Sequence, residues 1–247
     1  MLVSIVLPVR NQADHIERVV AEYSAALEGI EHQLILVVNG STDATLAACR
    51  SARADAGDGT VDVIESMPGW GAAVLAGLGA ARGDVLCYAN SARTSAPDLR
   101  LAVSLSCVDS SGSLLVKATR RYRKSLIRQA ASLVYNLEAR TLLDIGTWDV
   151  NGTPKAFSRA LFRRLRLTEA GDLLDLEVMA ECRRLRVTVV GFDTDLTERA
   201  GGRSTTTPLS AIRIYLQCFR FARRIRRPPA KPRAAEWRGQ VSDDTKP

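Results

Sequence analysis

The segment G83-D-V-L-C-Y-A-N-S-A-R-T-S-A-P-D-L99 joins an apolar run, Val85 to Tyr88, to a small polar loop. A short apolar run that stops in Ala-Asn-Ser reads as a buried strand handing its carboxyl end to a loop. In an open α/β sheet, ligands sit at the carboxyl ends of the parallel strands. A helix of small residues, Ala72 to Ala81, leads in, with Gly83 placed as its C′ terminator. A second helix is expected to leave the loop.

The preceding residues repeat the alternation. Ser4 to Val9 reads as a buried strand, followed by the loop Arg10-Asn11-Gln12 and a helix with Ile16, Val19, Val20, Tyr23 and Leu27 on one face. Leu34 to Val38 is a second strand ending in Asn39-Gly40-Ser41, where Ser41 is placed to cap the helix that runs through Leu46 and Cys49. Asp55 to Thr60 is a turn-rich link, and Val61 to Glu65 is a third strand before Met67-Pro68-Gly69-Trp70-Gly71. Strand and helix alternating with short links imply a mostly parallel sheet covered by helices on both faces. The fold class is therefore α/β.

Beyond Leu99 the pattern loosens. Leu114 to Lys117 reads as a strand. Ser125 to Leu143 reads as a helix with Leu126, Ala130, Leu133, Val134, Leu137 and Leu142 on one side. Asp149 to Phe157 reads as an irregular loop around Gly152 and Pro154. Helices are expected at Ser158 to Leu165 and Asp172 to Leu185, a strand at Val187 to Phe192, and a Gly-rich loop at Arg199 to Ser204. This organises the chain as a domain over residues 1–206, a basic amphipathic helix within 207–227, and a Pro- and charge-rich tail, 228–247, with little to bury.

Composition narrows the class. The 247 residues are 46% hydrophobic, enough for a packed core, yet no apolar run approaches the ~20 residues that span a bilayer. The opening residues lack a basic region and cleavage site, so they read as a strand and not a signal peptide. Cys49, Cys87, Cys107, Cys182 and Cys218 are widely spaced without a CxxC pair, which argues against a disulfide framework or zinc site and fits a reducing cytoplasm.

The net charge of +7 is concentrated. Residues 110–137 and 204–235 contain no acid, and they carry Lys117, Arg120, Arg121, Arg123, Lys124 and Arg128 in the first, Arg213 to Arg227 in the second. Such clusters point to an anionic partner: phosphate groups, a membrane surface or nucleic acid. Nucleic-acid binding is the weakest of these, because the clusters lack interleaved aromatics and any known module.

Several motifs, in order, resemble the family 2 glycosyltransferases, nucleotide-sugar enzymes that include polyprenyl-phosphate mannosyl- and glucosyltransferases. Ser4 to Gln12 with Ile16 resembles the family's S-I-V-x-P-x-x-N-E opening, with Gln12 in place of Glu. Leu36 to Thr45 resembles V-V-D-D-G-S-T-D-G-T. Gly69 to Asp84 resembles G-K-G-A-A-x-x-x-G-x-x-x-A-x-G-D, with Trp70 for Lys. Asp149 to Phe157 resembles D-x-x-x-G-x-K-x-F, Leu174 to Met179 resembles the F-D-x-E-L-L helix, and Arg199 to Ser204 resembles R-x-x-G-x-S. The likeness spans about residues 3–206 and implies a GT-A-type fold that moves a sugar, with inversion, from a nucleotide-diphosphate sugar.

The resemblance also implies roles. Pro8, Arg10, Asn11, Asn39, Ser41, Gly69, Gly71, Asn90, Arg93 and Thr94 would line the donor site, though several also read as plain turn residues. Asp175, Glu177 and Asp149 are the candidate bases, with Asp175 first; Asp175 would also suit the first turn of a helix. Lys117, Arg120 and Arg121 would hold the acceptor, a polyprenyl phosphate or another anionic or membrane-associated molecule. Arg199, Gly202 and Ser204 form the late loop.

One departure stands out. The family carries D-x-D after its fourth strand, holding Mg²⁺ or Mn²⁺ against the diphosphate, and here Asn90 and Ala92 occupy those positions, followed by Arg93. Hard divalent ions want charged oxygens, which neither residue offers. Either Arg93 takes the cation's place at the leaving group, or the site has lost transfer and the protein binds nucleotide sugars as a regulatory relative. Arg93 also reads as a plain solvated loop residue. No metal ligands are assigned. The protein is expected in the cytoplasm, with any membrane contact peripheral.

Overall fold

The computed structural model describes residues 1–56, 59–120, 126–194 and 216–223. Its strands are β1 (Val3–Val9), β2 (His32–Asn39), β3 (Val61–Ser66), β4 (Val85–Tyr88), β5 (Leu114–Arg120), β6 (Lys155–Ser158) and β7 (Thr188–Thr194). Its helices are α1 (Ile16–Ala26), α2 (Thr45–Asp55), α3 (Trp70–Ala80), α4 (Ala96–Ser106), α5 (Leu126–Leu143), α6 (Arg159–Phe162) and α7 (Leu174–Arg184). Residues 216–223 are helical.

The strands form one sheet in the order β3-β2-β1-β4-β6-β5-β7. β1, β2, β3 and β4 are mutually parallel, β6 runs antiparallel to both β4 and β5, and β7 is parallel to β5. After β3 the chain crosses back to place β4 on the other side of β1, so the order reverses between β1 and β4. The helices on either side of such a reversal diverge and leave a crevice above the strand ends.

The two faces of the sheet bury separate cores. Val3, Ile5, Leu7, Leu34, Leu36 and Cys87 point toward α1, α2 and α4, while Val6, Ile35, Val37 and Tyr88 point toward α3, α5 and α7. This is the period-two alternation of strands buried on both faces. Helix α3 comes exceptionally near the sheet, as its small residues predict: a Cβ on Gly77 would lie 2.2 Å from Val6 Cγ1.

Four expectations need correction. Ser41 does not cap α2; that helix starts at Thr45 with no side-chain cap, and Ser41 Oγ accepts the N–H of Asn11 instead, at 3.1 Å. Gly83 is not a left-handed terminator. A Cβ there would meet the backbone of β1, 2.7 Å from Leu2 O and Ser4 N. The region read as a loop, residues 149–157, holds the first three residues of β6, whose four buried residues fill the space between β4 and β5. Three residues of the apolar stripe assigned to α5 point outward: Leu133, Val134 and Leu137 are 57%, 52% and 54% exposed, while Leu142 is half-buried and Tyr135, Asn136 and Ala139 face the core.

Candidate functional site

The crevice is built from the ends of β1, β2 and β4. The loops after β1 and β2 are laced together: Asn11 Oδ1 accepts the Thr42 N–H at 2.9 Å, and the Gln12 N–H donates to Thr45 Oγ1 at 2.8 Å. Asn11 takes φ 51°, which places its amide over the neighbouring loop. Arg10 stays exposed, and Asn39 is buried at the end of β2. Pro8 contributes its carbonyl, which accepts Ser91 Oγ at 3.3 Å. Ser91 also donates to Gln12 Oε1 at 2.7 Å. Gln12 and Ser91 thus clamp the β1 loop to the β4 loop. The sequence reading gave neither a role; Gln12 was visible only as a substitution for Glu.

The β4 loop is a tight turn. The carbonyl of Asn90 accepts the N–H groups of Arg93 and Thr94, both at 2.9 Å. Its Oδ1 accepts the N–H of Ala92 at 3.1 Å. Ala92 is buried, Arg93 is half-buried, and the Thr94 carbonyl is tied to Tyr23 Oη at 2.8 Å. Ser95 then caps α4 by accepting the Asp98 N–H. This turn does not fit a divalent cation. Asn90 offers one neutral oxygen already engaged by the backbone, Ala92 offers none, and among the described residues no group of three His, Cys, Asp or Glu could hold a metal.

Gly69 and Gly71 open α3, but their bareness serves the protein itself. The N–H of Gly71 donates to Gly171 O at 3.1 Å and that of Ala72 to Ala170 O at 2.8 Å. A Cβ on Gly71 would lie 2.4 Å from Glu169 O. The residues before α7 are therefore stitched onto the start of α3, and Asp175 comes within reach of Trp70.

Asp175 is the focus of a buried network. Its Oδ1 accepts Lys155 Nζ and, at 2.9 Å, Tyr88 Oη; its Oδ2 accepts Trp70 Nε1 at 3.1 Å. Trp70 meets Tyr88 edge-on, with ring centroids 6.4 Å apart. Register explains the arrangement: Tyr88 pairs with Lys155, and Lys155 pairs with Lys117 across the sheet, so the three side chains share a row and a face. Lys155 and Lys117 have no exposed surface. Lys117 Nζ donates to Trp148 O at 2.9 Å and Thr119 Oγ1 at 3.3 Å. Burial, with the nearby charge of Lys155, pushes the Lys117 ammonium down to about 7.

The other expected residues are tied elsewhere. Asp149 receives Arg120 through Nε, Nη2 and the backbone N–H, at 2.8, 2.6 and 2.9 Å. Burial alone would raise its carboxyl; the hydrogen bonds and charge of Arg120 overcome that and hold it far below the usual range. Glu177 accepts the N–H groups of Thr168 and Glu169 and the Thr168 hydroxyl, each at 2.8 Å, so its carboxylate holds a loop. Lys117 is sealed beneath Trp148 O and presents no surface to an acceptor, while Arg120 is half-buried against Asp149. Arg121, Arg199, Gly202 and Ser204 lie outside the described residues, as do residues 228–247 and most of the basic helix expected before them.

A family model described as glycosyl transferase family 2 matches residues 4–166, and the chain belongs to that family. Glucosyl-3-phosphoglycerate synthase of Mycolicibacterium paratuberculosis is 32% identical over 91 residues, covering 36% of this chain and 28% of that protein. The match thus spans little more than a quarter of that relative's length. The crystal structure of glucosyl-3-phosphoglycerate synthase from Mycobacterium tuberculosis with Mn²⁺, uridine diphosphate and glucosyl-3-phosphoglycerate is similar at a TM-score of 0.70 and 19% identity, over 90% of this chain and 79% of that one. The crystal structure of a mycobacterial protein is similar at a TM-score of 0.71 and 20% identity, over 90% of this chain and 74% of that one. The same synthase has been crystallised with Mg²⁺ and uridine diphosphate, at a TM-score of 0.68 and 19% identity over the same shares. These likenesses establish a GT-A-type architecture.

Proposed function

We propose that the protein transfers a glycosyl group from a nucleoside-diphosphate sugar to an acceptor bound beside Asp175. The observation that supports this best is the contact of Asp175 with Tyr88 Oη, at 2.9 Å, on the last residue of β4, beside the point where the strand order reverses. The base and ribose would rest on the β1 and β2 loops, along Pro8, Arg10, Asn11, Asn39 and Ser41. The diphosphate would lie over the β4 turn at Asn90, Arg93 and Thr94. As the sugar's C1 leaves the diphosphate oxygen, the acceptor oxygen attacks from the opposite face. The electron pair departs with the nucleoside diphosphate, and the acceptor's proton passes to Asp175. Oδ2 suits that task, since it accepts one donor while Oδ1 accepts two.

The synthase similar in fold was crystallised with Mn²⁺ or Mg²⁺ together with uridine diphosphate, and a cation beside a leaving diphosphate would neutralise its charge. Here Arg93 does so by paired hydrogen bonds, because the β4 turn supplies no carboxylate. A small phosphorylated acceptor, as named for the relatives, fits the chain's positive charge, and its phosphate would be met by Arg121, since Arg120 is tied to Asp149. Peripheral attachment to an anionic membrane is a further part of this reading, through the exposed Leu133, Val134 and Leu137; no described helix is long and apolar enough to cross a membrane.

The test is calorimetry and turnover with UDP-glucose, with and without EDTA. Binding and turnover that EDTA leaves intact, reduced about 10²–10³-fold by Arg93→Ala and about 10²–10⁴-fold by Asp175→Asn, are expected. A second reading, a non-catalytic nucleotide-sugar binder, is favoured by Ala92. It prevails if the sugar nucleotide binds and neither transfer nor hydrolysis follows.

A further inference from the structure

The four side chains of the Asp175 network are not equally enclosed. Lys155 and Tyr88 have no exposed surface, whereas the Asp175 side chain keeps 6% of its surface and Trp70 is half-buried. The network is sealed at its lysine end and reaches solvent at its tryptophan end. The two carboxylate oxygens divide along the same line. Oδ1 accepts two donors from the sealed side, one of them a cation. Oδ2 accepts a single neutral donor, Trp70 Nε1, at 3.1 Å. A carboxylate oxygen can accept two hydrogen bonds, so Oδ2 keeps one place where Oδ1 keeps none.

Trp70 is itself held from several sides. Before it, Gly69 takes φ 138°. After it, the N–H groups of Gly71 and Ala72 bond the carbonyls of Gly171 and Ala170, on the segment that leads into α7. Its ring meets Tyr88 edge-on at 6.4 Å, and Tyr88 meets Phe157 in the same manner at 6.3 Å. The indole N–H therefore reaches Oδ2 from a ring whose backbone and neighbours are fixed. An indole donates one hydrogen bond and carries no charge. It can steer Oδ2 without weakening it as a proton acceptor in the way a second cation would.

We propose that Trp70 is the positioning residue of the transfer: its N–H aims Oδ2 of Asp175 at the acceptor's proton. The inference rests on the transfer reading above and names what orients its base. The acceptor's O–H donates to the open place on Oδ2. As that oxygen bonds to C1 of the sugar, its proton passes to Oδ2, and the electron pair of the breaking C1–O bond leaves with the nucleoside diphosphate. Trp70 takes no part in the bond changes and contributes by alignment.

The test is a pair of substitutions that separate the N–H from the ring, read by UDP release from UDP-glucose and by UDP-glucose calorimetry. Trp70→Phe keeps an aromatic ring and loses the donor. Trp70→Gln loses the ring and keeps an N–H donor at the same number of bonds from Cα. We expect Trp70→Phe to lower kcat about ten- to hundred-fold, the factor a hydrogen bond to a charged group carries, with UDP-glucose affinity unchanged. Trp70→Gln should recover most of that loss. A companion measurement needs no turnover: in the ¹⁵N-labelled full chain, the Trp70 indole resonance, identified by its loss in Trp70→Phe, should move in Asp175→Asn. An indole resonance indifferent to Asp175→Asn, or native turnover that Trp70→Phe leaves unchanged, overturns the role of Trp70 alone. UDP-glucose bound by the native protein without turnover overturns the transfer reading, and that role with it.

Discussion

From β3 to β4 the sheet is covered on both faces mainly by aliphatic side chains, with the neutral Ser4–Gln33 pair buried among them; from β4 to β5 its central row carries Tyr88, Lys155 and Lys117. The first region has no fully buried charge among its strands, whereas the second encloses two lysines at zero exposure and the carboxylate of Asp175. An apolar row needs only a good fit, because dispersion and water exclusion have no direction. A charged row needs partners for its donors and acceptors, and it finds them here in Trp70, Tyr88, Trp148 O and Thr119. The difference separates an apolar frame from a side of the sheet that encloses charge, and the proposed reaction is placed beside the latter.

The contrast is broken most forcefully at Lys155. Replacing it by Met leaves Asp175 enclosed without its cation, and removing one partner of a buried pair costs about 3–5 kcal/mol. Urea denaturation of Lys155→Met should show a loss of that order. The double variant Lys155→Met/Asp175→Leu should recover much of it, because both charges are then gone. A single-variant loss below about 1 kcal/mol would mean that the pair behaves like a solvated surface contact.

The matching experiment in the apolar region is Gly77→Ala. The added methyl would arrive 2.2 Å from Val6 Cγ1 and 3.0 Å from Val37 Cγ2. Overpacking of this kind costs about 1–3 kcal/mol, offset slightly by the better helix propensity of Ala. The same denaturation assay reads it, and a stabilised variant would show that α3 can slide away from the sheet.

This division also explains how much the sequence disclosed. β1, β2, β3 and β4 were legible because hydrophobic runs bounded by turns have one physical reading, and Val85 to Tyr88 is found with the expected bounds. β6 was hidden: a four-residue strand that begins with a lysine directly after Pro154 looks like a loop until its neighbours are known. Asp175 was singled out by its motif, but its partners were not visible, since Trp70, Tyr88 and Lys155 meet it only through sheet register and the stitched α3–α7 junction. Lys117 was read as part of a basic surface because a run of bases in sequence says nothing about which one the sheet swallows. The α5 face was misread for a related reason. Leu133, Val134 and Leu137 form the more apolar stripe, yet the buried side is the one that carries Tyr135, Asn136 and Ala139. Asn136 is drawn inward by the Val150 N–H, which its Oδ1 accepts at 2.9 Å.

Lys117 offers the mildest probe of the charged row, through pH. In the unfolded chain a lysine releases its proton near ~10.4, whereas in the fold burial and Lys155 bring Lys117 down to about 7. Between those values the unfolded chain holds a proton that the folded protein has already released. Stability from this group therefore rises with pH across that window, by at most about 1.4 kcal/mol per pH unit. Lys117→Met removes the titration, so the stability of the variant measured against pH should rise less steeply from about 7 to 10. Asp149 and Asp175 raise the Lys117 value while Arg120 lowers it. Arg120→Met should therefore move the onset of the native protein's slope to higher pH. Parallel curves for native protein and Lys117→Met would show that water reaches the ammonium and that the central row is less enclosed than its geometry implies.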